Sequence, residues 1–195
     1  MDSIILLGAG GHAASCIDVI ESQNKYKVFG LLAEKPGTDL SNRYPILGSD
    51  AKLGELLEHT RNVLVAVGQI ETADLRRSLY GSALSMGAEF PIICAVFSYV
   101  SRVADIGDGT IVMNGAVVNA RAAIGVNSII NSCALIEHDV VVGDHCHIST
   151  GALINGGVKI GHGSFIGSGA VLREGVVIGD DKFIKAGQIV GKDIL

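Results

Sequence analysis

From residue 100 onward, every sixth position is Ile, Leu or Val: Val100, Ile106, Val112, Val118, Ile124, Ile130, Ile136, Val142, Ile148, Ile154, Ile160, Ile166, Leu172, Ile178, Ile184 and Val190. These three types fill 59 of 195 positions. Sixteen consecutive matches are then a chance event on the order of 10⁻⁸. A period of six fits neither an α-helix nor a simple alternating sheet. Four residues after each of the first thirteen sites stands a small or β-branched residue, from Ala104 and Thr110 through Cys146 to Val176. That site and the next aliphatic are two apart, so in a strand both point to one side. Gly follows the aliphatic at 107, 125, 143, 161 and 179, each 18 residues apart. The spacing predicts three flat strands per coil, with this Gly relaxing a recurrent corner, and a triangular β-helix of about five coils. A β-sandwich would instead separate its strands by loops of variable length.

Composition agrees with a narrow aliphatic interior. Gly numbers 26, about 13% against a usual ~7%, while aromatics are 5% and Trp is absent. All three prolines (Pro36, Pro45, Pro91) precede residue 92, and after Tyr99 the aromatics are Phe165 and Phe183. This shift divides the chain near residues 90–98 and predicts domains 1–92 and 93–195. A net charge of −5 without a basic cluster argues against a nucleic-acid surface. No apolar run approaches the ~20 residues of a membrane helix, and Met1–Leu7 lacks the basic region of a signal peptide. Cys16, Cys94, Cys133 and Cys146 form no C-x-x-C pair, so free thiols and a cytoplasmic location are expected.

The first half alternates as an α/β unit. Ile4–Leu7 reads as a buried strand, followed by a helix through Ile17, Val19 and Ile20. Lys27–Leu32 is a second strand. Ser49 or Asp50 caps a helix carrying Leu53, Leu56 and Leu57. Val63–Val67 is a third strand, Thr72–Met86 is helical, and Ala88–Cys94 is read as a fourth strand. Gly8-Ala9-Gly10-Gly11-His12-Ala13 links the first strand to its helix as G-x-G-x-x-A, with Glu34 at the end of the second strand. Taken alone it is compatible with a dinucleotide, with another phosphate-bearing ligand, or with a bare tight turn. The unit is half the size of a full dinucleotide domain.

Polar residues in phase with neither inward site are dense between 131 and 147: Asn131, Glu137, His138, Asp139, Asp144, His145 and His147. His138 falls near a corner on the outside, flanked by two carboxylates. His145 and His147 share an outward face while Cys146 points in, which admits a zinc reading, although no third ligand lies in register.

With these hexads and the Gly8–His12 half in front, the chain resembles the left-handed β-helix hexapeptide-repeat acyltransferases. Among them it is similar to the bacterial sugar acetyltransferases. It most resembles the acetyl-CoA-dependent N-acetyltransferases acting on a UDP-linked 4-amino-4,6-dideoxy sugar in bacillosamine synthesis. Sialic-acid O-acetyltransferases and perosamine N-acetyltransferases share the layout. The resemblance implies a Rossmann-like α/β domain followed by a left-handed parallel β-helix, acetyl-CoA as co-substrate, no metal, and a homotrimer with sites between subunits.

The resemblance also implies roles. His138 would be the general base and Asp139 its carboxylate, where relatives commonly carry Glu. His147, Ser168 and Ala186 would contact acetyl-CoA, and Gly156, one coil of 18 residues above His138, is expected to join them with its N–H helping to hold the thioester oxyanion. Gly10, Gly11, His12, Glu34, Gly68 and Asn131 would contact the nucleotide sugar. Relatives often have two acidic residues at the end of strand two, where this chain has Ala33 and Glu34. They also usually carry a Gly-x-Pro-Ala-Lys-like tail, so coenzyme binding is expected to close differently at Leu195. O-acetylation of a sialic or capsular sugar and a trimeric zinc carbonic-anhydrase-like activity are the alternatives.

Overall fold

The computed structural model describes residues 1–34 and 43–195. Its first part contains β1 (Asp2–Leu7), α1 (Gly11–Gln23), β2 (Tyr26–Leu32), β3 (Ile46–Gly48), α2 (Leu53–Leu56), β4 (Val63–Val65) and α3 (Asp74–Ser85). The strands form one parallel sheet in the order β3-β2-β1-β4. β1 is an unbroken apolar run from Ile4 to Leu7 because both of its faces are buried. Ile4, Leu6, Leu31 and Leu64 meet Ala13, Ile17 and Ile20 of α1. Ile5, Leu7, Val63 and Val65 face Leu53, Ala83 and Phe90.

Ala88–Cys94 is not the fourth strand of this sheet. The fourth strand is instead Ile46–Gly48, at the opposite edge beside β2, whose three residues between Pro45 and Ser49 give too short a pattern to read. The 88–94 segment touches the sheet at one bridge, Asn62 to Glu89, and is then diverted by Pro91. Phe90 stacks on Tyr80 at 4.1 Å, and Ile93–Cys94 joins the second architecture instead. The expected cap at Ser49 opens a 3-10 turn, Asp50–Lys52, without a side-chain hydrogen bond, and α2 is one turn long.

From residue 93 the chain winds as a triangular parallel β-helix whose strands are two residues long. The first wall stacks Ile93–Cys94, Ile111–Val112, Ile129–Ile130, His147–Ile148, Phe165–Ile166 and Phe183–Ile184. The second runs from Tyr99–Val100 through Leu135–Ile136 to Ile189–Val190, and the third from Asp105–Ile106 through Val141–Val142 to Val177–Ile178. Each strand pairs with the one 18 residues on, as in Ile129 with His147. From Tyr99–Val100 onward, the second residue of each strand is the hexad aliphatic, and in Ile93–Cys94 it is Cys94. With the small site before it, the aliphatic forms one continuous core from Val112 to Val190.

The glycines after the aliphatics do not relax a corner, contrary to the sequence reading. Gly107, Gly125, Gly143, Gly161 and Gly179 lack positive φ. A Cβ on Gly143 would lie 2.7 Å from the His162 nitrogen of the next coil, so the small residue permits close stacking. The left-handed corner falls two residues later and recurs every six residues from Gly109 to Gly187. Glycine occupies it except at Arg121, Asn127, Cys133, Asp139, His145 and Asp181. Five of those six are consecutive corners.

The α/β unit sits on the first wall. Ile93, Ile111 and Ile129 project outward into the cluster that includes Ile17, Ile20 and Leu64. No helix among the described residues is long and apolar enough to cross a membrane.

Candidate active site

His138 lies at the corner between the second and third walls, two residues past the inward Ile136. Its Nδ1 is 2.8 Å from Asp139 Oδ2. Facing a carboxylate, Nδ1 carries the proton, which leaves the Nε2 lone pair free. The imidazole is 61% exposed, so that lone pair is open to a reactant. Asp139 adopts the left-handed conformation with φ 61°, which Asp tolerates better than most residues. Arg121, one coil earlier, donates from Nε to Asp139 Oδ1 at 2.6 Å and from Nη2 to Oδ2 at 2.7 Å. Hydrogen bonds from Arg121 and then from His138 hold the Asp139 carboxyl far below the usual carboxylate range. Glu137, the other flanking carboxylate, is engaged by Asn119 Nδ2 at 3.0 Å instead.

Gly156 stands one coil above His138. A Cβ there would lie 2.8 Å from the imidazole Cε1, so the ring rests against the glycine. Gly156 N–H donates no hydrogen bond among the described residues.

His147 is in a different environment, on the first wall under the α/β unit and 7% exposed. Its Nδ1–H donates to the Gln69 carbonyl at 2.7 Å, and Nε2 accepts from Asn131 Nδ2 at 3.0 Å. Burial lowers its pKa to about 4, helped by the Arg76 cation, while the Gln69 bond opposes the shift. The imidazole is therefore neutral at pH 7, with both nitrogens occupied within the chain. Any contact it offers a coenzyme passes through its ring face or backbone. Asn131 is tied to this histidine. His138 and His147 do not meet within one chain.

Ser168 and Ala186 stand one above the other at the corner between first and second walls, both exposed. Ser168 Oγ is 2.9 Å from Ser149 Oγ.

The Gly8–Ala13 loop crowns the C-terminal end of β1. Gly8 requires its φ of 119°, and a Cβ there would lie 2.7 Å from Val67 Cγ1. A Cβ on Gly10 or Gly11 would meet nothing within 4 Å. Among the described residues, no contact calls for glycine at those two positions, which leaves room for a ligand to approach. Gly8, Ala9, Ala33, Glu34, Asp50 and Val67 line a cavity of about 220 Å³ beside the loop. Burial first, and then Glu34, raise the Asp50 pKa, so Asp50 brings a second carboxylate near Glu34. Gly68 borders His12 at 3.7 Å from a built Cβ. His12 is half-buried, and its enclosed Nε2 has no partner among the described residues. Burial, followed by Arg76 and His147, lowers its pKa to about 3.

Sequence reasoning missed Arg76, Gln69, Asp50 and Arg121. Arg76 is fully buried on α3 and donates to the Val65 and Val67 carbonyls and to Asn127 O and Oδ1. It ties β4 to a corner of the β-helix. An Arg in an amphipathic helix, here one of the adjacent pair Arg76 and Arg77, ordinarily reads as surface, so no local signal marked it. Arg121 had a signal, the 18-residue step to Asp139.

His145 and His147 do not converge: His145 Nδ1 faces Asn127 Nδ2 at 3.0 Å, and its ring edge meets Tyr80. Among the described residues, no three His, Cys, Asp or Glu side chains cluster as metal ligands would.

Residues 3–81 match the family model described as the PglD N-terminal domain. A comparison with curated proteins returns no match. Among solved structures, the acetyltransferase domain of PglB from Neisseria gonorrhoeae is 29% identical, with TM-score 0.93 over 100% of this chain and 94% of that one. It has also been solved in complex with acetyl coenzyme A. PerB from Caulobacter crescentus, in complex with CoA and GDP-perosamine, is 30% identical, with TM-score 0.91 over 100% of this chain and 91% of that one. WeeI from Acinetobacter baumannii, 20% identical with TM-score 0.76 over 98% and 97%, shares the fold. An α/β unit matching the PglD model, followed by sixteen unbroken hexads wound as a left-handed β-helix and 30% identity to PerB over its whole length, makes this chain a member of the hexapeptide-repeat sugar acetyltransferase family.

Proposed function

We propose that this protein transfers the acetyl group of acetyl-CoA to the 4-amino group of a nucleotide-linked amino-dideoxy sugar, a UDP-sugar in our reading. The observation that carries this is the His138 imidazole, its Nδ1–H held by Asp139 at 2.8 Å and its Nε2 unpaired on an exposed corner. In this mechanism the sugar amine attacks the thioester carbonyl and a tetrahedral intermediate forms. His138 Nε2 takes the proton from the amine, and Asp139 stabilises the imidazolium. The intermediate collapses, expelling the CoA thiolate, which takes up a proton. The unpaired Gly156 N–H is suited to hold the oxyanion. Open space at Gly10 and Gly11, the start of α1 and the Glu34 cavity suit the diphosphate and the sugar or base. The likeness to PerB supports the acceptor class, because that protein was solved with CoA and GDP-perosamine. O-acetylation uses the same base and is the second outcome of the assay.

The working unit in this proposal is a homotrimer. The second wall presents Tyr99, Val117, Leu135, Leu153, Val171 and Ile189 outward, with Ile189 72% and Leu153 40% exposed. An aliphatic face of this length is what a subunit interface would cover. It adjoins the His138 corner, so a neighbour's first wall could bring the coenzyme contacts that His138 lacks within its own chain. Substrates of this class and four free thiols suit a cytoplasmic location.

Thiol release from acetyl-CoA with UDP- and GDP-linked 4-amino sugars tests the reading. His138→Ala should lower turnover by ~10²–10⁴-fold while leaving the oligomer intact. Full activity in that variant would sink the assignment. Leu153→Glu should shift the sedimentation coefficient to that of a monomer and abolish transfer; a monomeric wild type would refute the trimer.

A further inference from the structure

Asp139 carries its carboxylate on a short side chain and sits on a left-handed corner. Holding its carboxylate against the imidazole therefore needs help from elsewhere. Arg121 provides a contact of that kind. It occupies the corner one coil below, at φ 60°, and its planar fork grips both Asp139 oxygens at 2.6 and 2.7 Å. Asp139 Oδ2 receives both Arg121 Nη2 and His138 Nδ1. The carboxylate plane is thus fixed by two donors before the third is added.

We propose that Arg121 is a positioning residue for the base: it locks Asp139 so that His138 keeps the Nδ1–H tautomer and presents Nε2 outward in one orientation. This rests on the reading of His138 as the base. The guanidinium has a second effect, on charge. A bare carboxylate at 2.8 Å would favour the imidazolium and remove the base from action near neutrality, whereas the Arg121–Asp139 pair is neutral as a unit. Among the described residues, no other charged side chain pairs with Arg121, His138 or Asp139. Glu137 is held by Asn119, and the coil above offers Gly156 and Gly157. The next acid in the His138 column is Glu174, two coils on and roughly 10 Å away at ~4.8 Å per strand step.

The test compares wild type, Arg121→Gln, Arg121→Lys and His138→Asn, reading histidine nitrogen-15 spectra alongside the pH profile of kcat/KM. Arg121→Gln should mix the His138 tautomers in the nitrogen-15 spectra and raise the midpoint of the acid limb of the kcat/KM profile. Its kcat should fall by ~10-fold with both KM values within two-fold, because orientation rather than binding is lost. Arg121→Lys, which keeps the charge, should restore the midpoint but not the full kcat. Arg121 is 65% exposed and solvent screens its pair with Asp139, so both variants should melt close to wild type, which separates this role from a structural one. If Arg121→Gln keeps the wild-type tautomer, titration and kcat while His138→Asn is inactive, Arg121 has no such role although the base assignment stands. If His138→Asn retains transfer, the base assignment fails and this inference with it.

Discussion

At the scale of single residues, Gly156 has two reasons to be glycine, and they separate by experiment. Its N–H is free for an oxyanion, and its bare Cα makes room for the His138 ring. Gly156→Ala would place a methyl 2.8 Å from the imidazole and push the ring away. Turnover should drop by ~10–100-fold with little change in melting temperature, since the residue is half-buried and its φ is not positive. A displaced His138 titration in that variant marks the seating role, whereas an unmoved titration with lost turnover marks the oxyanion role. Unchanged turnover would remove Gly156 from the site. Asp139 has a related acid dependence. Its folded pKa lies below the unfolded value, so its contribution to stability is present above about pH 4 and is lost as pH falls.

At the scale of elements, the repeat assigns different work to glycines that look alike in sequence. Gly143 faces the backbone of the next coil 2.7 Å from a built Cβ, while Gly151 has open space and a φ of 66°. Gly143→Ala should cost about 2–4 kcal/mol by forcing coils apart, and Gly151→Ala about 1–2 kcal/mol from backbone strain alone. Denaturant midpoints of the two variants rank them, and equal costs would contradict the stacking explanation. The inward hexads were legible because one physical demand, filling a narrow aliphatic interior, acts on every coil from Val112 to Val190. The corner was misplaced because period-six spacing fixes which residue points in but not which one has positive φ. Ala88–Cys94 was misassigned for a comparable reason: an apolar run specifies burial, not which sheet buries it. Adjacency offered His138 two carboxylates, Glu137 and Asp139, and the resemblance to the acetyltransferases selected Asp139, where the hydrogen bond falls. Arg76 and the Gln69–His147 contact were not legible, because both join segments 50 or more residues apart.

At the scale of the whole molecule, the junction between the α/β unit and the first wall is a buried polar seam built for neutral histidines. His12 and His147 have pKa values lowered to about 3 and about 4, chiefly by burial. A lowered histidine binds fewer protons folded than unfolded, so its contribution is present above about pH 6.5 and is lost as pH falls toward the folded values. Melting temperature should decline steeply between pH 6.5 and 4, and His12→Gln or His147→Gln should flatten that decline; parallel curves for both variants would refute the seam as its source. The five consecutive corners that carry side chains, Arg121, Asn127, Cys133, Asp139 and His145, have a consequence for anyone redesigning this scaffold. The repeat's own majority residue at those corners is glycine, which relieves about 1–2 kcal/mol of strain at each. Averaging the coils toward that majority would yield a more robust protein in which the Arg121–Asp139 grip on His138 and the Asn127 anchor for Arg76 had both been edited out. The departures from the repeat, rather than the repeat, hold the chemistry.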